Sequence, residues 1–223
     1  MSTFSLLNRF WPELLNGTLV TLQLTGVAIS IGFVLGMGLA LGTLYGNRPI
    51  RLFSRGYIEF FRGTPLLIQL FIVYYGLPRY GIRVSSITAA LLGLGLNSAA
   101  YQAEYFRGAI QAVNEGQILA ARALGMTRWK TITSIVLPQA LRIVIPSWSN
   151  ELIYTLKYSS VAYIIGAPEL MAQAKFIAAD TFHYFEMFAV VAVIYLVIVS
   201  VLTQILKTIE TKTRIPGLQT FRT

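Results

Sequence analysis

From Leu14 to Asn47 the chain carries no charged residue. In lipid every backbone polar group must be bonded inside its own segment, so an uncharged run of this length reads as a helix that crosses a bilayer with tilt to spare. The composition agrees: 55% of the residues are hydrophobic and only 12% charged, against about 25% charged in an ordinary soluble domain. The expected fold class is therefore an all-α membrane protein.

Hydropathy and charge divide the chain, read as one transmembrane domain over 1–223, into five spans at about 17–46, 57–78, 85–112, 138–158 and 184–207. The fifth holds 20 uncharged residues between Glu186 and Lys207. In the second, Gly63, Thr64 and Pro65 interrupt the pattern, and a proline there loosens the first turn. Glycines at 32, 36, 38, 42 and 46 give the first span small-xxx-small pairs, read as helix packing. Ahead of it, Phe4, Leu7, Trp11, Leu14 and Leu15 recur at helical spacing and predict a short interfacial helix over 4–15. That segment has no basic start and is not read as a signal peptide. Residues 167–182, opening on Ala167-Pro168-Glu169, predict a surface helix on the outer side.

The formal charge of +9 sits at the ends of apolar segments, which argues for membrane topology and against nucleic acid. With the 114–139 loop inside the cell, the inner face collects Arg48, Arg51, Arg55, Arg62, Arg107, Arg122, Arg128, Lys130, Arg142, Lys207, Lys212, Arg214 and Arg222. The outer face has Arg9, Arg79, Arg83 and Lys175, with Lys157 near the outer end of the fourth span. This asymmetry predicts an outer amino terminus and a cytoplasmic carboxyl terminus in the cell membrane. There is no cysteine and a single histidine, and no phosphate-binding, zinc or nucleophile motif occurs. No enzyme activity, metal or cofactor is expected.

The 114–139 loop, NEGQILAARALGMTRWKTITSIVLPQ, is a polar, basic island with its own helical pattern. Asn114 offers a start, Ala120, Ala121, Ala123 and Leu124 favour helix, and Gly125 stands where a left-handed stop is wanted. Thr127 caps a second run with Trp129, Ile132, Ile135 and Val136 on one face, until Pro138 resets the chain. A short rigid helix outside the bilayer suits a docking role; an ordinary interhelical loop is the plainer reading.

The run GQILAARALGMTRWKTITSIVLPQALR resembles the cytoplasmic loop of the permease subunits of binding-protein-dependent ABC importers, whose pattern is Glu-Ala-Ala, three residues, Gly, then Ile-x-Leu-Pro. Ala120, Ala121, Gly125, Ile135, Leu137 and Pro138 match; Leu119 stands where the family has Glu. YIEFFRGTPLLIQLF at 57–71, LNSAAYQAEYFRGAIQAV at 96–113, LPQALRIVIPSWSNELIYTLK at 137–157 and GTLVTLQLT near the start are similar to permeases for polar amino acids of the histidine, glutamine and arginine type. The resemblance implies a type I importer permease fold with a cytoplasmic coupling helix. It further implies a separate ATP-binding-cassette ATPase docked on the 114–137 loop at Gly116, Leu119, Ala120, Ala121, Arg122, Leu124 and Gly125. An extracytoplasmic amino-acid-binding protein and a second permease copy, identical or a close paralogue, complete the implied complex. In such relatives an acidic residue commonly follows the lysine of the fourth-span motif; here it is Tyr158, which argues against assuming a cationic substrate.

Polar residues inside a bilayer are costly and usually face a cavity or a partner. In the fourth span Ser147, Asn150, Glu151, Tyr154, Lys157 and Tyr158 fall on one helical face, which suggests the lining of a path. Neutralisation of Glu151 and Lys157 within the protein, or Lys157 reaching to the headgroups, is the structural alternative. In the third span Asn97, Tyr101 and Glu104 share a face, and Arg107, one turn beyond Glu104, is an equally good partner for it. The candidate substrate residues are therefore Asn97, Tyr101, Glu104, Asn150, Glu151, Tyr154 and Tyr158. An ion-coupled carrier or channel without an ATPase is the competing function, and a structural membrane anchor the third.

Overall fold

The computed structural model describes the backbone of residues 3–213 and side chains from Asn8 onward; Arg214 and Arg222 of the charge count lie outside the described residues. Every regular element described is helical. Helix α1, Thr3–Tyr45, is a single helix of 43 residues, roughly 65 Å long at 1.5 Å per residue. The expected interfacial helix over 4–15 is thus the opening of α1 and not a separate element; the side chains of Phe4 and Leu7 are outside the described set. The reason is packing: Leu14 is fully buried against a later helix, which holds these turns in line with the span.

Helix α4, Ser86–Gln111, lies along α1, and small residues bring the two backbones together. A Cβ on Gly36 would sit 2.9 Å from the Ala99 carbonyl oxygen, and one on Gly95 of α4 would sit 3.0 Å from Ile31. Gly42 and Gly46 make the same close approach to Ile50, whereas Gly38 faces open space. Four of the five glycines read as packing positions therefore pack, with Gly32 treated below.

The segment expected as one span over 57–78 departs most from the sequence reading. Helix α2, Arg48–Gly63, stops at Thr64, and a second helical stretch begins at Leu66 with α3, Leu66–Phe71, continuing through a π turn and a 3₁₀ turn to Tyr80. The two stretches meet at an angle of 106°. Pro65 has no N–H to carry the helix on and forces extended backbone at Thr64, so the interruption becomes a corner. Buried Gln69 fills it, donating to the carbonyls of Phe61 and Thr64, at 2.9 and 3.0 Å, that the break leaves without helical partners.

After α4 come the short helix α5, Glu115–Ala123, then α6, Arg128–Thr131, and a π turn at Ile132–Val136. Helix α7, Leu137–Ile143, and helix α8, Ile145–Tyr158, form the fourth segment, broken where Pro146 enters. Helix α9, Leu170–Thr181, was expected on the surface but is wedged into the bundle. Leu170, Ala174, Ile177 and Ala178 are buried with Leu14 of α1 and Met187 and Val191 of α10, which spans Tyr184–Thr213. Its cap explains the anchorage: fully buried Glu169 accepts from the N–H groups of Met171 and Ala172, both at 2.8 Å, and from the Tyr195 hydroxyl at 3.1 Å.

By length and apolarity, Asn8–Tyr45 and Tyr184–Thr213 qualify as membrane-crossing helices among the described residues, and the bent α2–α3 pair makes a third if counted as one. Helix α4 and the α7–α8 segment carry Asn97, Gln102, Glu104, Asn150 and Glu151, which dilute their hydropathy.

Candidate translocation site

Where α3, α4 and α8 meet, an open cavity of about 230 Å³ is lined by Leu66, Leu94, Asn97, Tyr101, Tyr105, Glu151, Tyr154, Thr155 and Tyr158. Five of the residues singled out from the sequence therefore share one wall: Asn97, Tyr101, Glu151, Tyr154 and Tyr158. The helical period explains the grouping, since 97, 101 and 105 on α4 and 151, 154, 155 and 158 on α8 recur every three or four residues. Tyr105 and Thr155 were missed, although each stands four residues beyond a chosen position.

Glu151 is the only carboxylate on this lining and is itself buried. It accepts a hydrogen bond from Ser98 of α4 at 2.8 Å and a longer one from Thr155 at 3.4 Å. No Lys, Arg or His among the described residues lines the cavity. Lys157 lies 4.5 Å over the ring of Tyr154, and Tyr154 stacks on Tyr158 with centroids 6.2 Å apart. The stripe thus divides: Glu151 turns toward α4, while Ser147, Asn150, Tyr154, Lys157 and Tyr158 stay exposed on this single chain.

Asn97 is partly committed, donating to the Gln69 side chain at 3.0 Å and to the Phe61 carbonyl at 3.3 Å, so it also ties α4 to the broken corner. Glu104 is not on the lining. It takes two hydrogen bonds from Arg107, at 3.0 and 2.7 Å, and lies 3.9 Å from Arg62 of α2, whose guanidinium covers the Tyr101 ring. Asn150 is likewise off the lining, on the exposed face of α8.

The second candidate region is α5. Asn114 caps it by accepting from the Gly116 N–H at 2.8 Å. Gly125 ends it with φ of 79°, a conformation that a side chain resists, and Thr127 caps α6 through the Lys130 N–H. Of the residues assigned to docking, Ala121 alone is buried and serves as the anchor; Gly116, Leu119, Ala120, Arg122, Leu124 and Gly125 are exposed. Leu119 and Leu124 expose 69% and 84% of their surface, and Trp129 just beyond them is exposed as well. Gln139 of α7 donates to Gln117 of α5, so the loop helix is tied directly to the segment that leads into α8.

A helical bundle with a polar cavity at a broken helix, and a rigid helix held outside it, defines the class of membrane transport subunits. The chain belongs to the family of binding-protein-dependent transport system inner membrane components, whose model matches residues 32–215. It is 40% identical over 202 residues to the arginine transport system permease of Bacillus subtilis, covering 90% of this chain and 92% of the relative. A provisionally named glutamine transport system permease of Rickettsia conorii is 39% identical over 213 residues, 94% of this chain and 98% of that one. Among solved structures, an amino acid ABC transporter with histidines superposes with a TM-score of 0.89 at 38% identity, over 95% of this chain and 99% of that one. The methionine ABC transporter in an inward facing conformation gives 0.79 at 22% identity, over 93% and 99%, and shows the shared fold.

Proposed function

We propose that this chain is the membrane-spanning subunit of an ATP-driven importer and that its cavity is a station on the path of a polar amino acid. The observation that carries the reading is a buried carboxylate facing a small cavity with no cation on its wall. Removing a carboxylate from water is costly unless a partner compensates, and the ammonium of an amino acid is such a partner. The cavity volume lies below the roughly 300–1,000 Å³ of sites for drug-sized ligands, which suits a small solute. The tyrosines around it offer hydroxyls and ring faces, and the α3 break places polar backbone beside it. That the named relatives act on glutamine and arginine, and a structural neighbour was solved with histidines, supports the same substrate class.

In this reading the chain crosses the inner membrane five times, with α2 and α3 together as one crossing and α7 and α8 as another. The charge asymmetry of the sequence puts α5 in the cytoplasm and the amino terminus outside. A separate ATPase subunit docks on α5, with exposed Leu119 making an apolar contact where the family pattern has Glu. A binding protein delivers substrate to the outer face, and a second permease copy covers the exposed side of α8. ATP-driven closure of the ATPases moves α5 and, through Gln117 and Gln139, α7, which changes access to the cavity.

Reconstitution of the complex in proteoliposomes, with uptake measured across a panel of amino acids, tests this. Glu151→Gln is expected to lower uptake by at least about 30-fold, the scale of truncating one partner of a buried charge pair, with the ATPase still bound. Uptake at wild-type rates by a well-folded Glu151→Gln complex would sink the role of the cavity. Gly125→Pro, which forbids the left-handed turn, is expected to detach or uncouple the ATPase; unchanged coupling would remove α5 as the docking element.

A further inference from the structure

Behind Glu151 a chain of hydrogen bonds runs through the bundle in a single direction. The indole N–H of Trp148 on α8 donates to the side-chain oxygen of Gln102 on α4 at 3.0 Å. The Gln102 amide nitrogen donates to the Ile29 carbonyl of α1 at 3.1 Å and to the Ser98 hydroxyl oxygen at 3.0 Å. Ser98 then donates to Glu151 at 2.8 Å. Gln102 is fully buried and Ser98 nearly so, at 0% and 2% exposed.

The direction is set by the partners. An indole N–H only donates and a backbone carbonyl only accepts. Turning the Gln102 amide over would set its oxygen against the Ile29 oxygen and its NH₂ against the Trp148 N–H, two repulsive contacts for two bonds. With the amide so fixed, both of its hydrogens are committed, and Ser98 must accept one of them. The hydroxyl's own hydrogen is thereby directed at Glu151. Aligned donors of this kind polarise one another, so the Ser98 hydroxyl is held to one acceptor, the Glu151 carboxyl oxygen.

Gly32 of α1 makes the geometry possible. A Cβ at that position would lie 2.3 Å from the Gln102 amide nitrogen and 2.9 Å from the Ser98 hydroxyl. Gly36, by contrast, meets the α4 backbone at the Ala99 carbonyl, whereas at Gly32 the atoms met are the polar side-chain ends of Gln102 and Ser98.

We propose that Gln102 is a positioning residue for substrate: it commits Ser98 to donate to Glu151, so that the cavity presents a carboxyl group in one fixed orientation to the ammonium of an amino acid. Trp148 and the Ile29 carbonyl set Gln102, and Gly32 admits it. The inference rests on the reading of Glu151 as the ammonium's partner, and its test separates the two.

The permease–ATPase complex in lipid nanodiscs, without binding protein, is titrated with L-glutamine and L-arginine by calorimetry. Gln102→Met keeps the shape of the side chain and removes its polar atoms. It is expected to weaken binding by about 3- to 12-fold, the upper part of the range for the net loss of one neutral hydrogen bond. Ser98→Ala is expected to weaken it as much. The double variant should bind no more weakly than Ser98→Ala alone, because Gln102 acts through Ser98; two independent packing defects would instead multiply. Gly32→Ala, which favours helix on propensity, reaches the same relay from α1 and should weaken binding within the same range, so the test does not depend on one variant folding. If Glu151→Gln loses binding while Gln102→Met and Gly32→Ala bind as wild type, or if the double variant shows multiplied effects, the relay is overturned and the cavity reading stands. Wild-type binding by Glu151→Gln, or no binding of either amino acid to the unaltered complex, overturns the cavity reading and the relay with it.

Discussion

Two carboxylates sit on neighbouring helices of this bundle and are treated in opposite ways. Glu104 of α4 is gripped by Arg107 through two hydrogen bonds and faces Arg62 at 3.9 Å, with a side chain that remains 24% exposed. Glu151 of α8 is 5% exposed, yet the groups that reach it are neutral hydroxyls. The first charge is already compensated within the chain and has little left to offer a ligand. The second is oriented by hydroxyl donors and has no cation beside it on the cavity wall among the described residues, so a cationic group entering the cavity would be its first charged partner. A sequence shows two glutamates in apolar helices, whereas the fold pairs one with arginines and sets the other on a cavity wall that carries no cation among the described residues.

The contrast is sharpest in a paired substitution. Glu151→Gln is expected to cost at least about 30-fold in amino-acid binding, while Glu104→Gln, which leaves the cavity lining intact, should change it by less than about 5-fold, a partly exposed pair being worth roughly 0–1 kcal/mol. Calorimetry on the two variants decides the matter, and comparable losses would show that Glu104 serves the ligand as well. Arg107→Met is the next smaller change. Since its partner is partly exposed and Arg62 stays in reach, stability should fall by no more than about 1 kcal/mol, read as a lower thermal midpoint with ligand binding unchanged.

What the sequence made legible follows the range of the interactions. Helix α5 was readable with its cap, its stop and the cap of α6, because Asn114, Gly125 and Thr127 act on residues at most three positions away. The Glu104–Arg107 pair is likewise an i, i+3 contact, within reach of helical spacing alone. The polar face of α8 and the 97–101 face of α4 were visible as periodicity, but periodicity could not say which side of α8 meets α4. Glu151 therefore stood in one stripe with Asn150, although the fold buries the first and leaves the second exposed.

The parts that escaped depend on distant partners. Gln102 finds its contacts at Ile29 and Trp148, and Glu169 at Tyr195, while the Leu170 N–H at the same cap reaches back to Thr21. Hydropathy reports only that a segment is apolar, so 57–78 read as one span when its two halves meet at 106°. Residues 167–182 look like a surface helix because their buried stripe, Leu170, Ala174, Ile177 and Ala178, is half alanine and reads as weakly apolar, while its partners Leu14, Met187 and Val191 and the Tyr195 contact of the Glu169 cap lie far away in sequence.

The smallest expected effect tests which helix holds Glu151. The Thr155 hydroxyl is 3.4 Å from the carboxylate oxygen, long for an O–H···O bond, whose usual range is about 2.5–3.0 Å. Ser98 approaches to 2.8 Å from the facing helix. Thr155→Val replaces the hydroxyl with a methyl of similar size, so binding should weaken by less than about 3-fold, short of the loss expected for one hydrogen bond to a charged group. A larger loss than that of Ser98→Ala would mean that Glu151 is anchored within α8. The carboxylate would then travel with its own helix when α7 and α8 move, and its orientation would not depend on α4. A negligible loss instead leaves the hold across the α4–α8 contact, where a shift of α8 against α4 during transport would loosen Ser98 from Glu151 and change the grip on the ligand. The same weak bond therefore separates a site that is carried intact between states from one that is assembled in one state and dismantled in the other.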